Sequence, residues 1–240
     1  MSYRLVRRYI NYMPESTTAR QFWVQRPGEG RIVTATLPAK RDDQVLIRAL
    51  YSGISLGTET LVFRGEVPPS QSEAMRAPFQ EGNFPAPVKY GYASVGEVID
   101  GPDSLEGVAV FCLYPHQDYY CVQEADITPL PEGLPPSRAV LAANMETAVN
   151  AVWDSRPTVG DEVVVIGAGV VGLFSAWLCQ QVPGTHVTVV DINPAKETVT
   201  EALGLTFVTE LPSDTQADVV LHASGQPEGL VSALTVAGLE

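Results

Sequence analysis

The 240-residue chain carries 15 Lys and Arg against 28 Asp and Glu, a formal charge of -13, so it has few cations to neutralise phosphates. Nucleic acid and anionic membranes are therefore not expected partners. Hydrophobic residues make up 45% and charged residues 18%, with 20 Gly and 19 Pro, a globular composition rich in turns and sufficient for one or two domains.

Met1 to Ile10 is basic but lacks the apolar core and small-residue cleavage site of a secretory signal, and the chain reads as cytoplasmic. From Arg20 to about Leu130, short β-branched runs (Val45 to Leu50, Ala93 to Ile99, Val108 to Leu113) alternate with Gly/Pro-rich turns. That pattern predicts an all-β domain over residues 1–137. Gly65 to Val88 is rich in Pro, Gln and Glu without strand periodicity and reads as a surface loop. Cys112, Cys121 and Cys179 form no CxxC pair, which indicates neither a disulfide framework nor a thiolate zinc knuckle.

Past the proline-rich Pro129 to Pro136, Ser137 is placed to cap a helix, and Ala139 to Trp153 is Ala-rich and proline-free. This linking helix opens a second domain over residues 138–240. There the pattern becomes strand (Glu162 to Ile166), helix (Val170 to Gln181), strand (His186 to Asp191) and helix (Pro194 to Leu203, stopped by Gly204). Ala217 to Gly225 reads as strand and turn, Pro227 to Val236 as a helix. Strands alternating with helices predict a parallel sheet. A doubly wound domain has two such halves, so the chain is expected to hold the first alone, as a fragment or with a partner completing the sheet. Val163 to Leu178 is a long apolar run, but glycines punctuate it and it falls short of the roughly 20 residues of a membrane span.

Gly167-Ala-Gly-Val-Val-Gly172 lies between the first of these strands and its helix. Gly167 permits the tight turn, Gly169 lets the backbone approach a pyrophosphate, and Gly172 lets helix and strand pack closely. The amides of Val170 and Val171 at the helix start face the anion. Asp191 ends the next strand, where its carboxylate accepts hydrogen bonds from adenosine ribose hydroxyls and repels a 2'-phosphate. NAD rather than NADP is the expected cofactor.

Three further segments accompany this motif: Gly53-Ile-Ser-Leu-Gly-Thr-Glu59, Pro87-Val-Lys-Tyr-Gly-Tyr-Ala-Ser-Val-Gly-Glu-Val98, and Pro129 to Pro135. Together they resemble the medium-chain dehydrogenase/reductase family, in its first active-site segment, its PxxxGHExxGxV segment and the entry to its linking helix. The resemblance implies an N-terminal GroES-like β domain followed by a partial Rossmann domain. It also implies hydride transfer between NAD and a small alcohol or carbonyl substrate in the cleft between domains, and it allows a homodimer. At the family's zinc-ligand positions Ser55 replaces Cys and Tyr92 replaces His, Ala93 replaces the neighbouring Glu, and the four-Cys lobe is absent. Neutral hydroxyls are poor zinc ligands, so no catalytic zinc is expected, although Glu59, Glu146 and His116 remain as unorthodox donors. The Gly-Ile-Ser-x-Gly-Thr-Glu segment is similar to the bacteriochlorophyllide a dehydrogenase-like branch. Quinone and enone reductases form the competing zinc-free branch, and a dinucleotide-binding module without turnover is the non-enzymatic alternative.

Without a metal, side chains must supply the acid-base chemistry. Tyr92, with Lys89 nearby to lower the pKa of its phenol, is the first candidate. Ser55 and Thr58 are placed by the resemblance to hydrogen-bond a substrate oxygen, and Glu59 to act as base or orient the segment. His116 reads as a structural turn residue. Asn144, near Glu146 on the linking helix, is a candidate contact to nicotinamide or substrate.

Overall fold

The structure, a computed structural model, describes residues 18–238. The basic N-terminal stretch read for a signal lies outside them. The chain divides into two compact units, Met1–Val140 and Leu141–Glu240.

In the first unit, β1 (Thr18–Arg26), β2 (Glu29–Thr36), β3 (Gln44–Ser52), β4 (Glu81–Gly82), β5 (Val88–Lys89), β6 (Ser94–Asp100), β7 (Ala109–Cys112), β8 (Tyr119–Gln123) and β9 (Ile127–Pro129) form two sheets. Their orders are β2-β1-β5-β4 and β8-β3-β6-β7-β9, and every pairing between them is antiparallel. Val45, Ile47, Val98, Val110, Tyr120 and Val122 close one core, each at 0–1% exposure. Each such side chain contributes roughly 1.5–3 kcal/mol by leaving water.

The unit is not all β. Helix α1 spans Leu56–Arg64 and buries Val62 against Val24, Val88 and Tyr90. Ser55 sits at its N-cap, where its amide donates to the Glu59 carboxylate, a reach-back that satisfies one of the orphan donors of a helix start. Gly65, at φ 70°, ends the helix, with its own amide turned back to Val62 and that of Glu66 to Leu61. The stretch Gly65 to Val88, expected to be a surface loop, sends Val67, Ala77 and Val88 into the same core.

The linking helix is also broken in two. Helix α2 (Pro136–Ala139) starts at a proline, which is preorganised for a first helical turn, so Ser137 lies inside it and Pro135 takes the N-cap position. Helix α3 (Ala142–Ser155) follows after Leu141, whose φ of -87° and ψ of 3° interrupt the helical run.

The second unit runs β10 (Glu162–Ile166), α4 (Val170–Gln180), β11 (His186–Val190), α5 (Glu197–Ala202), β12 (Thr206–Val208), β13 (Val219–His222) and α6 (Pro227–Val236). All pairings are parallel, in the order β12-β11-β10-β13. Third, second, first and fourth in chain order, these strands make the Rossmann-like arrangement of a nucleotide-binding domain, with its switch point between β10 and β13. Val163 and Val165 face α4 with Ala176 and Cys179, whereas Val164 and Ile166 face Ala233 and Val236 of α6. Burial on both faces explains why β10 reads as an unbroken apolar run. The helix expected from Pro194 begins as a 3-10 turn, Pro194–Lys196, before α5. No helix among the described residues is long and apolar enough to cross a membrane.

Candidate functional site

Strand β10 delivers Gly167 to the switch point. Its φ is 110°, its amide donates to the Val190 carbonyl at 2.7 Å, and a Cβ there would stand 2.6 Å from the Ser224 amide. A Cβ on Gly172 would overlap the Gly167 carbonyl oxygen, so both positions demand glycine for close backbone packing. Gly169 differs: a Cβ there would meet nothing within 4 Å. Gly169 is the N-cap of the eleven-residue α4 and has no side chain to cap the first amides, so Val170 and Val171 present theirs to open space. An uncapped helix start beside an open approach fits an anion such as a pyrophosphate.

Asp191 closes the other side of this cradle. Its Oδ2 accepts from the Ala168 amide at 2.8 Å and its Oδ1 from the Asn193 amide at 2.9 Å. The carboxylate therefore ties the glycine loop to the turn after β11, and each oxygen keeps a lone pair for a ribose hydroxyl. Ile192 beside it is 92% exposed. One feature of this rim has no counterpart in the sequence reading: His222 Nε2 and Ser224 Oγ meet at 2.7 Å at the end of β13. Two polar residues spaced i, i+2 at the end of a strand were the available signal. Asn144 is half-buried in the first turn of α3, while Glu146 is exposed and accepts from Asn150 on its own helix at 2.6 Å, a polar anchor.

The first unit gathers a different group. Glu59 Oε1 accepts from the Ser55 amide at 2.8 Å, and Glu59 Oε2 meets His116 Nε2 at 2.5 Å. His116 Nδ1 lies 2.6 Å from Ser52 Oγ. The Glu59 and His116 side chains are 12% and 13% exposed, whereas Ser52 is exposed. Gly91, at φ 133°, lies against the imidazole, and a Cβ there would come within 3.1 Å of Nε2. Of the residues expected to act together, Ser55 and Glu59 do touch, Thr58 sits half-buried beside them in α1, and His116, read as a turn residue, also meets the Glu59 carboxylate.

Tyr92 is half-buried at the edge of the Val24 and Val88 core, edge-on to Tyr90 with ring centroids 6.0 Å apart. The expected help from Lys89 is not directed at it. Lys89 is wholly buried, donates to Glu81 and at 2.7 Å to Gln117, and lies 5.5 Å over the Tyr114 ring. Burial holds its pKa below the ordinary lysine value, with Glu81 opposing. Burial also pushes the Tyr90 phenol up, reinforced by the charges of Tyr92 and Glu59. The Cys112 and Cys179 thiols are buried and pushed up to about 12 and about 11, which makes them inert. Among the described residues, no three His, Cys, Asp or Glu side chains gather as a metal-binding group.

A family model described as "Alanine dehydrogenase/PNT, C-terminal domain" matches residues 144–239. An L-threonine 3-dehydrogenase of Rhizobium rhizogenes is 28% identical over 121 residues, which cover 50% of this chain and 34% of that protein. The matched stretch thus spans about a third of such relatives. Among solved structures, a short chain alcohol dehydrogenase from E. coli CFT073 complexed with NADH superposes with a TM-score of 0.72 at 18% identity, over 92% of this chain and 74% of that one. A zinc-binding dehydrogenase target from Sinorhizobium meliloti 1021 bound to NADP gives a TM-score of 0.73 at 18% identity, with the same coverage. At such identities the shared property is the fold, and the element common to the family match and the structural likeness is the Rossmann-like unit from α3 to α6.

Proposed function

We propose that this chain is an oxidoreductase of the medium-chain dehydrogenase/reductase type, with a GroES-like first unit, that moves hydride between NAD and a secondary alcohol or its ketone without catalytic zinc. The observation that carries the reading is the open, uncapped start of α4 at Gly169, framed by Gly167, Gly172 and the Asp191 carboxylate on a sheet of Rossmann order. Val170 and Val171 would hold the pyrophosphate by their amides, and Asp191 the ribose hydroxyls. When bound, the nicotinamide supplies the hydride acceptor or donor.

Asp191 supports NAD, because a 2'-phosphate would bring two negative charges against a carboxylate already fixed by two amides. The similarity to a protein named for oxidising L-threonine at its 3-position supports a secondary alcohol. Ser55 and Tyr92, standing where the family holds its metal with thiolate and imidazole, support chemistry by side chains alone. Fluorescence titration with NADH and NADPH, with zinc analysis of the same sample, tests the reading. Tighter NADH binding without stoichiometric zinc, followed by NADH formation from a secondary alcohol, is the expected result. An NADPH preference or bound zinc overturns it.

A further inference from the structure

We propose that the first unit holds a binding site of its own, a polar cavity that takes a neutral polyol of monosaccharide size. Residues of that unit alone line it, and the assignment does not depend on the hydride-transfer reading. The cavity has a volume of about 580 Å³, within the roughly 300–1,000 Å³ of small-molecule pockets. Strands of both sheets contribute to its wall, together with the segment from Thr36 to Arg41.

Strand alternation makes this interior polar. Along β1, Phe22 and Val24 join the core around Val62, whereas Gln21 and Trp23, on the opposite face, line the cavity. The space between packed sheets ordinarily holds apolar side chains. Here Gln21, Lys89, Tyr114 and Gln117 occupy it, each at 8% exposure or less, and a buried polar group costs free energy unless it is paired. Lys89 and Gln117 are paired: the ammonium donates to Glu81 and Gln117, and the Gln117 amide donates to the Tyr119 carbonyl at 2.6 Å. Gln21 and Tyr114 are not fully so. Gln21 Oε1 accepts from the Trp23 indole at 2.9 Å, which leaves Nε2 without a partner among the described residues, and the Tyr114 hydroxyl likewise has none. No sealed side-chain polar atom among the described residues lacks a partner, so both of these groups border open space, and the cavity is the space both residues line.

These unmatched groups define the ligand that completes them. The Gln21 amide nitrogen donates, so it requires an acceptor. Glu81, whose Oε1 accepts from Lys89, keeps Oε2 for a donor. The Tyr114 hydroxyl serves as either, and burial pushes its phenol well above the ordinary value, so it keeps its proton. Hydroxyl groups, which donate and accept at once, meet all three. The half-buried Trp23 ring adds an apolar face for the C–H groups of the same molecule. Charge has no unmet partner on this wall: Lys89 pairs with Glu81, and Arg41 with Asp43 at 3.2 Å. An anion or a cation would therefore lose its hydration without gaining a counter-charge, which favours a neutral ligand.

Titration of the full chain with D-glucose, D-mannitol and myo-inositol, followed through the nitrogen-15 NMR signal of the Trp23 indole, tests this. The signal is assigned by its loss in Trp23→Phe. At least one of the three polyols is expected to move it saturably. Gln21→Met and Tyr114→Phe each remove one hydrogen-bonding group at nearly constant volume, and each should weaken that polyol about tenfold. If Gln21→Met does not fold, Tyr114→Phe decides alone, because its ring keeps the stack on Tyr120 at 3.8 Å. The proposal is overturned if none of the three moves the Trp23 signal saturably, or if Tyr114→Phe binds as the wild type does. Tighter binding of D-gluconate, a carboxylate of similar size, overturns it as well.

Discussion

Gly172 in the second unit and Gly91 in the first both work by lacking a side chain, yet they admit different things. At Gly172 the space a Cβ would fill belongs to the Gly167 carbonyl oxygen, so the glycine lets one backbone segment fold onto another five residues away. At Gly91 the space is bounded by the backbone amide and the imidazole of His116, a residue from a distant segment of the unit. The first site is made of consecutive backbone and needs little besides its glycines. The second is a side-chain network whose members, Ser52, Glu59, Gly91 and His116, come from β3, α1 and two loops. Where backbone already fills a glycine's space, the first kind of site should lose fold and binding together, whereas the second can rearrange its side chains while the fold survives.

The largest expected effect follows directly. Gly172→Val cannot be accommodated without parting α4 from β10, and overpacking of this kind costs about 3 kcal/mol or more. A thermal unfolding scan should show a drop of many degrees, together with lost NADH binding; an unchanged melting temperature would show that the loop relaxes where the packing says it cannot. Gly91→Ala is expected to cost less, about 1–3 kcal/mol, because it adds strain at φ 133° but its Cβ would come no nearer than 3.1 Å to the His116 amide and ring. Its sharper signature should be a displaced His116 NMR signal.

Gly169 sharpens the comparison from the other side. A Cβ there touches nothing and φ is -77°, so Gly169→Ala should leave the melting temperature nearly unchanged while weakening NADH binding about tenfold, or about 1.4 kcal/mol, by narrowing the approach to the helix amides. Equal NADH affinity would mean that the phosphate does not pass there.

The same contrast decides what could be read from the residues in order. β10 and α6 fall where their apolar runs and flanking Gly and Pro placed them, and the glycine loop was legible because turn, cradle and packing are all set within six consecutive positions. Helix α1 was not legible: Gly57 and Thr58 in its first turns have low helix propensity, and what holds it is the burial of Val62 and a cap supplied by Glu59. Strand β12 is three residues long and gains its place only by pairing with β11. Glu59 and His116 were both named, as possible metal donors, but their direct contact was not legible, because 57 positions separate them and it depends on how distant segments fold together. Lys89 was assigned to the tyrosine three residues away, yet its ammonium turns toward Glu81 and Gln117.

Lys89 yields the smallest effect, and one that separates fold from chemistry within the first unit. Its folded-state pKa lies below the unfolded value of about 10.4, chiefly through burial. Between the two values the unfolded chain binds more protons than the folded one, so stability rises with pH across that window and the penalty for a buried ammonium is felt in full below it. Lys89→Met removes that dependence, and because Glu81 is half-exposed, water can take over its solvation. The variant should therefore match or exceed the wild type near neutral pH by about 1 kcal/mol or less, and lose the alkaline rise in melting temperature. Its NADH affinity and the NMR signal of His116 should stay as they are. A displaced His116 NMR signal in Lys89→Met would instead tie this cation, through Gln117, to the neighbouring His116, and the packed core would have to be drawn to include the imidazole and its partners.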